Sequence, residues 1–193
     1  MLKNMPPRFA LILWPVVDKC LRTISRTKPV RADGRGIIRF NIHGYKGPTK
    51  LLNDGSEVKS GDKIMELHLD NAWFRRRRNL YLSVTQSPQE FFGCFTQDLQ
   101  ILAQQMSSGN FGDIAALHGS TLLHVAARRL GFQVEELPDS LLKKGARFYM
   151  AGLMQVYHLR GDGVLGLRVK TWQLKEVWLS RATLLSKYGS KHT

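Results

Sequence analysis

Apolar residues recur every three or four positions over residues 87–106, which predicts a long amphipathic helix. Ser87 is placed to cap this helix, Pro88 occupies its first position and Glu90 completes a capping box. The apolar positions that share one side of the helix predict a core-facing stripe: Phe92, Phe95, Leu99, Leu102 and Met106.

A period of two replaces the helical period between residues 36 and 69, where apolar and polar residues alternate. Turn signals rich in Gly, Asn and Asp divide this stretch, which predicts a meander of three short strands. In the third strand, Met65 and Leu67 fall on one face and Glu66 and His68 on the other. Asp70 continues the polar row.

The second half of the chain mixes both patterns. A helix is predicted to begin at Ile114 or at Ser120 and to end near Leu130, followed by a short strand in "GFQVEELP". A hairpin is predicted over residues 153–169, then a strand and a helix with Ser180 as cap and Gly189 as stop. These elements predict an α+β fold, with a mainly antiparallel sheet and helices on one face. We expect residues 1–30 to form a helix and linker, and residues 31–193 to form a single domain.

Residues 9–26 predict a helix bent at Pro15 that is too short and too charged to span a bilayer. Its first part lacks a cleavage site of small residues, so no cleavable signal peptide is indicated. The helix either packs on the domain or lies in a membrane interface, which leaves two interpretations open. The residues that would anchor it to a membrane are Phe9, Leu13, Trp14 and Val17.

The row formed by Glu66, His68 and Asp70 is the first candidate site. Alternate side chains on a strand start about 6.6 Å apart, a spacing from which two can converge on one ligand. A solvent-facing polar row is the competing interpretation, because half-exposed strands look like this by default. No metal site or cofactor is predicted, since no second histidine motif completes a ligand set.

Four consecutive arginines make the second candidate site, on a helix that Asp70 or Asn71 can cap. At about 100° per residue they surround the helix axis, so two or three of them can address one polyanion. Together with two arginines in the helix predicted to end near Leu130 they form the expected polyanion-binding set: Arg75, Arg76, Arg77, Arg78, Arg128 and Arg129. A solvated basic helix is the alternative. His118 and His124, six apart, fall on opposite sides of an ideal helix, which argues against a joint metal site.

The composition is strongly basic. Twenty-nine Lys and Arg residues against 15 Asp and Glu give a formal net charge of +14, which favours partners such as nucleic acid, acidic lipid or anionic glycan. The two cysteines, Cys20 and Cys94, have no metal-ligand spacing and indicate no disulfide framework.

Three blocks in order resemble the YkoP-like proteins, a bacterial family of unknown biochemical function: "YKGPTKLLNDGSEVKSGDKIMELHLDN", "LHGSTLLHVAARRLGF" and "LKEVWLSRATLLSKYG". The same pattern is similar to the C-terminal extension of some polysaccharide deacetylases. The resemblance implies a neighbourhood of glycan processing and a possible deacetylase partner, while the deacetylase's own metal-binding motifs are absent here. His68 and Asn71 occupy the family's "LHxxN" position, which raises both as candidate ligand-binding residues.

Three functional classes remain. The favoured one is a non-catalytic accessory module that binds an anionic membrane surface or an envelope glycan, in the cytoplasm or at the inner face of the membrane. The alternative is a protein that binds nucleic acid without sequence preference, because no reading motif accompanies the charge. A hydrolase that uses His68 is least favoured, since no nucleophile and base are visible. The oligomeric state is not predicted.

Overall fold

The computed structural model describes residues 26–73, 88–137 and 173–189. The segment with the four arginines and the predicted 153–169 hairpin lie outside these ranges, as does the predicted N-terminal helix up to residue 25. Within them the helices are α1 (Pro88–Ser107), α2 (His124–Arg129) and α3 (Arg181–Tyr188). The strands are β1 (Lys28–Pro29), β2 (Ile38–Gly44), β3 (Lys50–Leu51), β4 (Glu57–Val58), β5 (Lys63–Leu69), β6 (Ile114–Thr121), β7 (Gln133–Glu136) and β8 (Lys175–Ser180).

Six strands form the main sheet in the order β1-β2-β5-β6-β8-β7. All neighbours in this sheet are antiparallel except β5 and β6, which run parallel. A parallel neighbour needs a crossover connection, and the chain between β5 and β6 includes α1. The fold is therefore α+β with a mostly antiparallel sheet, as the alternation of helical and strand patterns predicts.

The main core lies between one face of this sheet and the three helices. Its fully buried members include Met65 from β5, Leu117 from β6, Leu99 from α1 and Leu184 from α3. Phe92 and Phe95 are partly buried against it, so the apolar stripe of α1 faces the core as predicted. Cys94 is a free, half-buried cysteine that packs against the same core.

A second, smaller apolar cluster covers part of the opposite face of the sheet. Strands β3 and β4 form their own two-stranded sheet, which contributes Val58. The chain beside it contributes Leu52, and both pack against Ile64, Ala116 and Trp178. The polar side chains of this face are therefore flanked by apolar packing and only half exposed.

Two predicted details of the fold are wrong. The strands of residues 36–69 are not a simple meander, because β2 pairs directly with β5 and the β3–β4 hairpin is lifted out of the sheet. The helix that could have begun at Ile114 begins at His124, since residues 114–121 form β6 in the middle of the sheet. Interior packing on both faces outweighs the helix-favouring composition of that stretch.

The predicted ends of the last helix are confirmed. The Ser180 hydroxyl accepts a hydrogen bond from the Thr183 amide at 2.9 Å, as an N-cap does, and α3 stops before Gly189. Asp54 supports this end because its carboxylate accepts hydrogen bonds from the hydroxyls of Ser180 and Thr183. Strand β1 lies within the predicted 1–30 linker and pairs with β2, and the division at residue 30 stays a prediction.

Candidate functional site

Strand β5 carries the first two predicted site residues to the sheet face that lies opposite the helices. Met65 is fully buried in the main core, so the alternating side chains of Glu66 and His68 point the other way. The side chains of Glu66 and His68 remain 33% and 36% exposed. The predicted polar row on this strand is therefore real for these two residues, and both stay accessible to a ligand.

Asp70 has a different position. It follows the end of β5 and is only 7% exposed. Its Oδ1 accepts a hydrogen bond from the Ala72 amide at 2.9 Å, while its own amide donates to the Ile37 carbonyl at 2.7 Å. Asp70 therefore caps the helical turn that begins at residue 71, as predicted for either Asp70 or Asn71. Asn71 is half-buried in that segment, so the structure does not place Asp70 and Asn71 in one strand row with Glu66 and His68.

Glu66 is surrounded by histidines from three strands. Its carboxylate oxygens lie 3.4 Å from His43 Nε2 and 3.8 Å from His68 Nε2. His118 of β6 stands directly across from Glu66 in the parallel pairing. His68 is the main cause that lowers the pKa of Glu66 to about 2; His118 and His43 add to the effect and outweigh burial, which opposes it. Glu66 is thus a fixed negative charge at any physiological pH.

His118 belongs to a second acid–base pair on the same face. Its Nε2 lies 2.9 Å from Glu176 Oε1, and its ring stacks on Trp178 with centroids 4.2 Å apart. Burial raises the pKa of Glu176, but the hydrogen bond with His118 and nearby positive charge lower it overall. Because Trp178 and Glu176 hold the imidazole on two sides, His118 has a fixed orientation.

Lys50 brings the β3–β4 hairpin onto this pair. Its ammonium forms an ion pair with Glu135 and lies 3.6 Å from Glu176 and 5.1 Å from the centre of the Trp178 ring. Burial lowers its pKa, but the hydrogen bond to Glu135 and the charge of Glu176 raise it overall. The hairpin is therefore held by charge as well as by the apolar cluster beneath it.

We call this surface the histidine–glutamate face, defined by five residues: His43, Glu66, His68, His118 and Glu176. Among the residues that the structure describes, no group of three His, Cys, Asp or Glu side chains is arranged to hold a metal ion. The face offers carboxylate acceptors beside imidazole groups that can donate or accept. That set can recognise hydroxyl or amide groups.

Sequence reasoning missed His43, His118, Glu176 and Lys50 as members of this site. His118 was considered as a helical residue, and in that setting its spacing from His124 argued against a site. The signal that could have found it is local, because His118 and Ser120 alternate with the apolar Leu117 in the run that became β6. The partnership of His118 with Glu176 joins residues 58 positions apart and has no local signal.

The predicted polyanion-binding residues are only partly described. Arg128 and Arg129 are exposed at the end of α2, while the four arginines from Arg75 to Arg78 lie outside the described ranges. The proposed membrane-anchoring residues lie outside them too: Phe9, Leu13, Trp14 and Val17. In the part of the chain that is described, no helix has the length and apolar character needed to cross a bilayer.

Comparison with known proteins establishes the family. The model of the YkoP domain matches residues 7–188. A curated relative, "Uncharacterized protein YkoP" of Bacillus subtilis (strain 168), is 26% identical over 125 residues, which cover 64% of this chain and 68% of the relative. No solved structure matches the chain. Because the domain model covers nearly the whole sequence, the chain belongs to the YkoP family.

Proposed function

We propose that this YkoP-family chain is a non-catalytic accessory module that attaches to an anionic surface, either the acidic lipid of the inner membrane face or an anionic envelope glycan. Both surfaces present a dense array of negative charge. A polysaccharide deacetylase is the enzyme partner we propose, because the three sequence blocks also resemble an extension of such enzymes. This location would be cytoplasmic or peripheral at the membrane.

The observation that carries the proposal is the concentration of positive charge in a strongly basic chain. The sequence holds 29 Lys and Arg residues against 15 Asp and Glu residues, a formal net charge of +14. Four of the positive charges stand side by side in the run from Arg75 to Arg78. A basic chain with such a run is typical of attachment to a negatively charged surface.

The contacts of the histidine–glutamate face favour binding over catalysis. His118 Nε2 is paired with Glu176, and His43 Nδ1 contacts the Gly44 carbonyl at 3.1 Å. Among the hydrogen bonds within the described ranges, neither imidazole reaches a hydroxyl or a thiol. A nucleophile activated by a base, which covalent hydrolysis needs, is thus not assembled from these residues.

The test measures binding of the full chain to four probes across a salt series: anionic vesicles, neutral vesicles, an anionic polysaccharide and duplex DNA. The key variant replaces Arg75, Arg76, Arg77 and Arg78 with glutamine. We expect it to bind all anionic probes more weakly and to flatten the salt dependence, since fewer counterions are released. Neutral vesicles should not bind.

The matched control removes four positive charges from exposed positions elsewhere in the chain: Lys28, Arg35, Lys59 and Lys63. It should bind nearly as well as the native chain. Equal losses of binding in both variants would show that affinity depends on total charge alone. That result would contradict attachment through the run from Arg75 to Arg78. Tight binding to DNA alone would favour the nucleic-acid alternative.

A further inference from the structure

An open cavity of about 650 Å³ adjoins the histidine–glutamate face beside the β3–β4 hairpin. It lies where the chain leaves β2 and approaches β5, and its lining is His43, Gly44, Tyr45, Lys46, Ser60 and Gly61. We call it the Tyr45 groove. Its volume is large enough for a ligand of a few sugar rings and also admits smaller molecules.

The backbone of the groove is fixed on both sides. The Tyr45 amide donates to the Asp62 carbonyl, and the Gly61 amide donates to the Tyr45 carbonyl, each at 2.8 Å. The Tyr45 ring meets Trp178 edge to face with centroids 5.6 Å apart. At Gly47, an added Cβ would lie 2.3 Å from the Tyr45 hydroxyl oxygen, so the loop packs closely against the phenol and a larger residue there would make the Tyr45 side chain move. The groove is therefore preformed.

One end of the groove opens onto a charged acceptor. His43 lines the groove, and its Nε2 is 3.4 Å from the half-exposed carboxylate of Glu66. On the same carboxylate, His68 Nε2 lies 3.8 Å from Glu66 Oε1. The groove thus combines the Tyr45 phenol, the Ser60 hydroxyl and the His43 imidazole in its lining, and the Glu66 carboxylate lies beside that imidazole.

This chemistry selects a neutral hydroxylated ligand. Among the residues that the structure describes, Lys46 is the one Lys or Arg in the lining and the Glu66 carboxylate lies beside His43, so the groove lacks the cluster of positive groups that a polyanion needs. A metal ion is disfavoured because the described residues hold no suitable ligand cluster. Sugar hydroxyls can donate to a carboxylate and accept from imidazole or phenol, while a sugar's carbon–hydrogen face can rest on an aromatic ring.

We propose that the Tyr45 groove binds a neutral oligosaccharide, with Glu66 accepting a hydrogen bond from a sugar hydroxyl and Tyr45 contributing its ring and hydroxyl. This site is separate from the charge-driven attachment proposed above. It gives the protein a way to recognise an uncharged stretch of glycan at close range.

The test titrates the full chain with chitotetraose and cellotetraose at about 0.5 M salt, where charge-driven attachment is screened. Histidine side-chain NMR signals report on His43 and His68, and calorimetry gives the affinity. We expect saturable shifts with at least one probe. Glu66→Gln should weaken binding roughly 10- to 100-fold, because it removes a charged hydrogen-bond acceptor, and Tyr45→Phe should weaken it several-fold.

The matched control is Glu136→Gln, which removes one carboxylate charge from the exposed side chain of Glu136 at the far edge strand β7. It should bind like the native chain. No saturable shift with either sugar would overturn the proposal, as would native-like affinity in Glu66→Gln or equal loss in Glu136→Gln. The variant with glutamine in place of Arg75 to Arg78 should keep its sugar affinity. This comparison separates failure of this site from failure of the attachment function.

Discussion

Replacing Asp98 with alanine tests how α1 is held against the sheet. Asp98 lies in the middle of α1 and has no exposed surface. Its Oδ2 accepts hydrogen bonds from the amides of Ile37 and Ile38 at 2.7 and 2.8 Å, and its Oδ1 lies 2.8 Å from Arg31 Nε. One carboxylate therefore joins the helix to the start of β2 and to the loop that precedes it.

The expected loss follows from what the substitution leaves behind. Asp98→Ala leaves the amides of Ile37 and Ile38 without their acceptor. It also removes the charged partner of Arg31, and the Arg31 side chain is only 14% exposed. Removing one partner of a buried ion pair costs about 3–5 kcal/mol of unfolding free energy. For a chain of this size that lowers the melting temperature by roughly 6–20 °C. Asp98→Asn keeps one acceptor oxygen for the amides and should lose less.

Urea unfolding followed by circular dichroism measures the change. The matched control is Gln97→Ala, which removes only the hydrogen bond that Arg31 Nη1 donates to Gln97 Oε1 at 2.7 Å. It should cost at most about 1 kcal/mol. If Asp98→Ala lost less than about 1 kcal/mol, or no more than Gln97→Ala, the view that this carboxylate holds α1 in place would be refuted.

Other variants probe the loss of stability at low pH, the α3 cap, the N-terminus and His68. The folded-state pKa of Glu66 is lowered from its ordinary value of 4.5 to about 2, mainly by His68. Its contribution to stability is therefore present above about pH 4.5 and lost as the pH falls toward 2, and Glu66→Gln should flatten that part of a urea stability–pH series. Asp54→Ala should cost about 1 kcal/mol in urea unfolding, because its carboxylate supports the Ser180 cap of α3; an unchanged midpoint would contradict this. Deleting residues 1–26 should abolish flotation with anionic vesicles and leave the rest folded; unfolding would assign the helix to the core. His68→Gln should weaken saccharide binding with little change in melting temperature, and the reverse pattern would make His68 structural.

Local patterns were enough to predict some elements correctly. The structure places Pro88 at the start of α1, buries Leu99, Leu102 and Met106 along one side, and caps α3 with Ser180. These features depend on residues close in sequence, where helix periodicity and capping chemistry act directly. The same holds for β5, whose alternation separates Met65 from Glu66 and His68.

The first half of strand β6 shows no alternation because it is interior to the sheet. Ile114, Ala116 and Leu117 are all buried, so residues 114–117 form a continuous apolar run, and the alternation begins only at His118. Gly119 carries a further tertiary constraint, since an added Cβ would lie 3.1 Å from the Leu67 carbonyl oxygen of β5. A helix with a glycine and an apolar run was a reasonable local prediction, and neighbouring strands overruled it.

The histidine–glutamate face depends on register, which no single segment contains. Glu66 meets His118 because β5 and β6 pair in parallel at that position, and His118 meets Trp178 because β6 and β8 pair antiparallel there. A slip of one residue in either pairing would turn alternate side chains to the opposite face. The Tyr45 groove inherits this dependence through the contact between His43 and Glu66. A variant that shifts the register of β5 should therefore abolish the face and the groove together, even with every one of their residues unchanged.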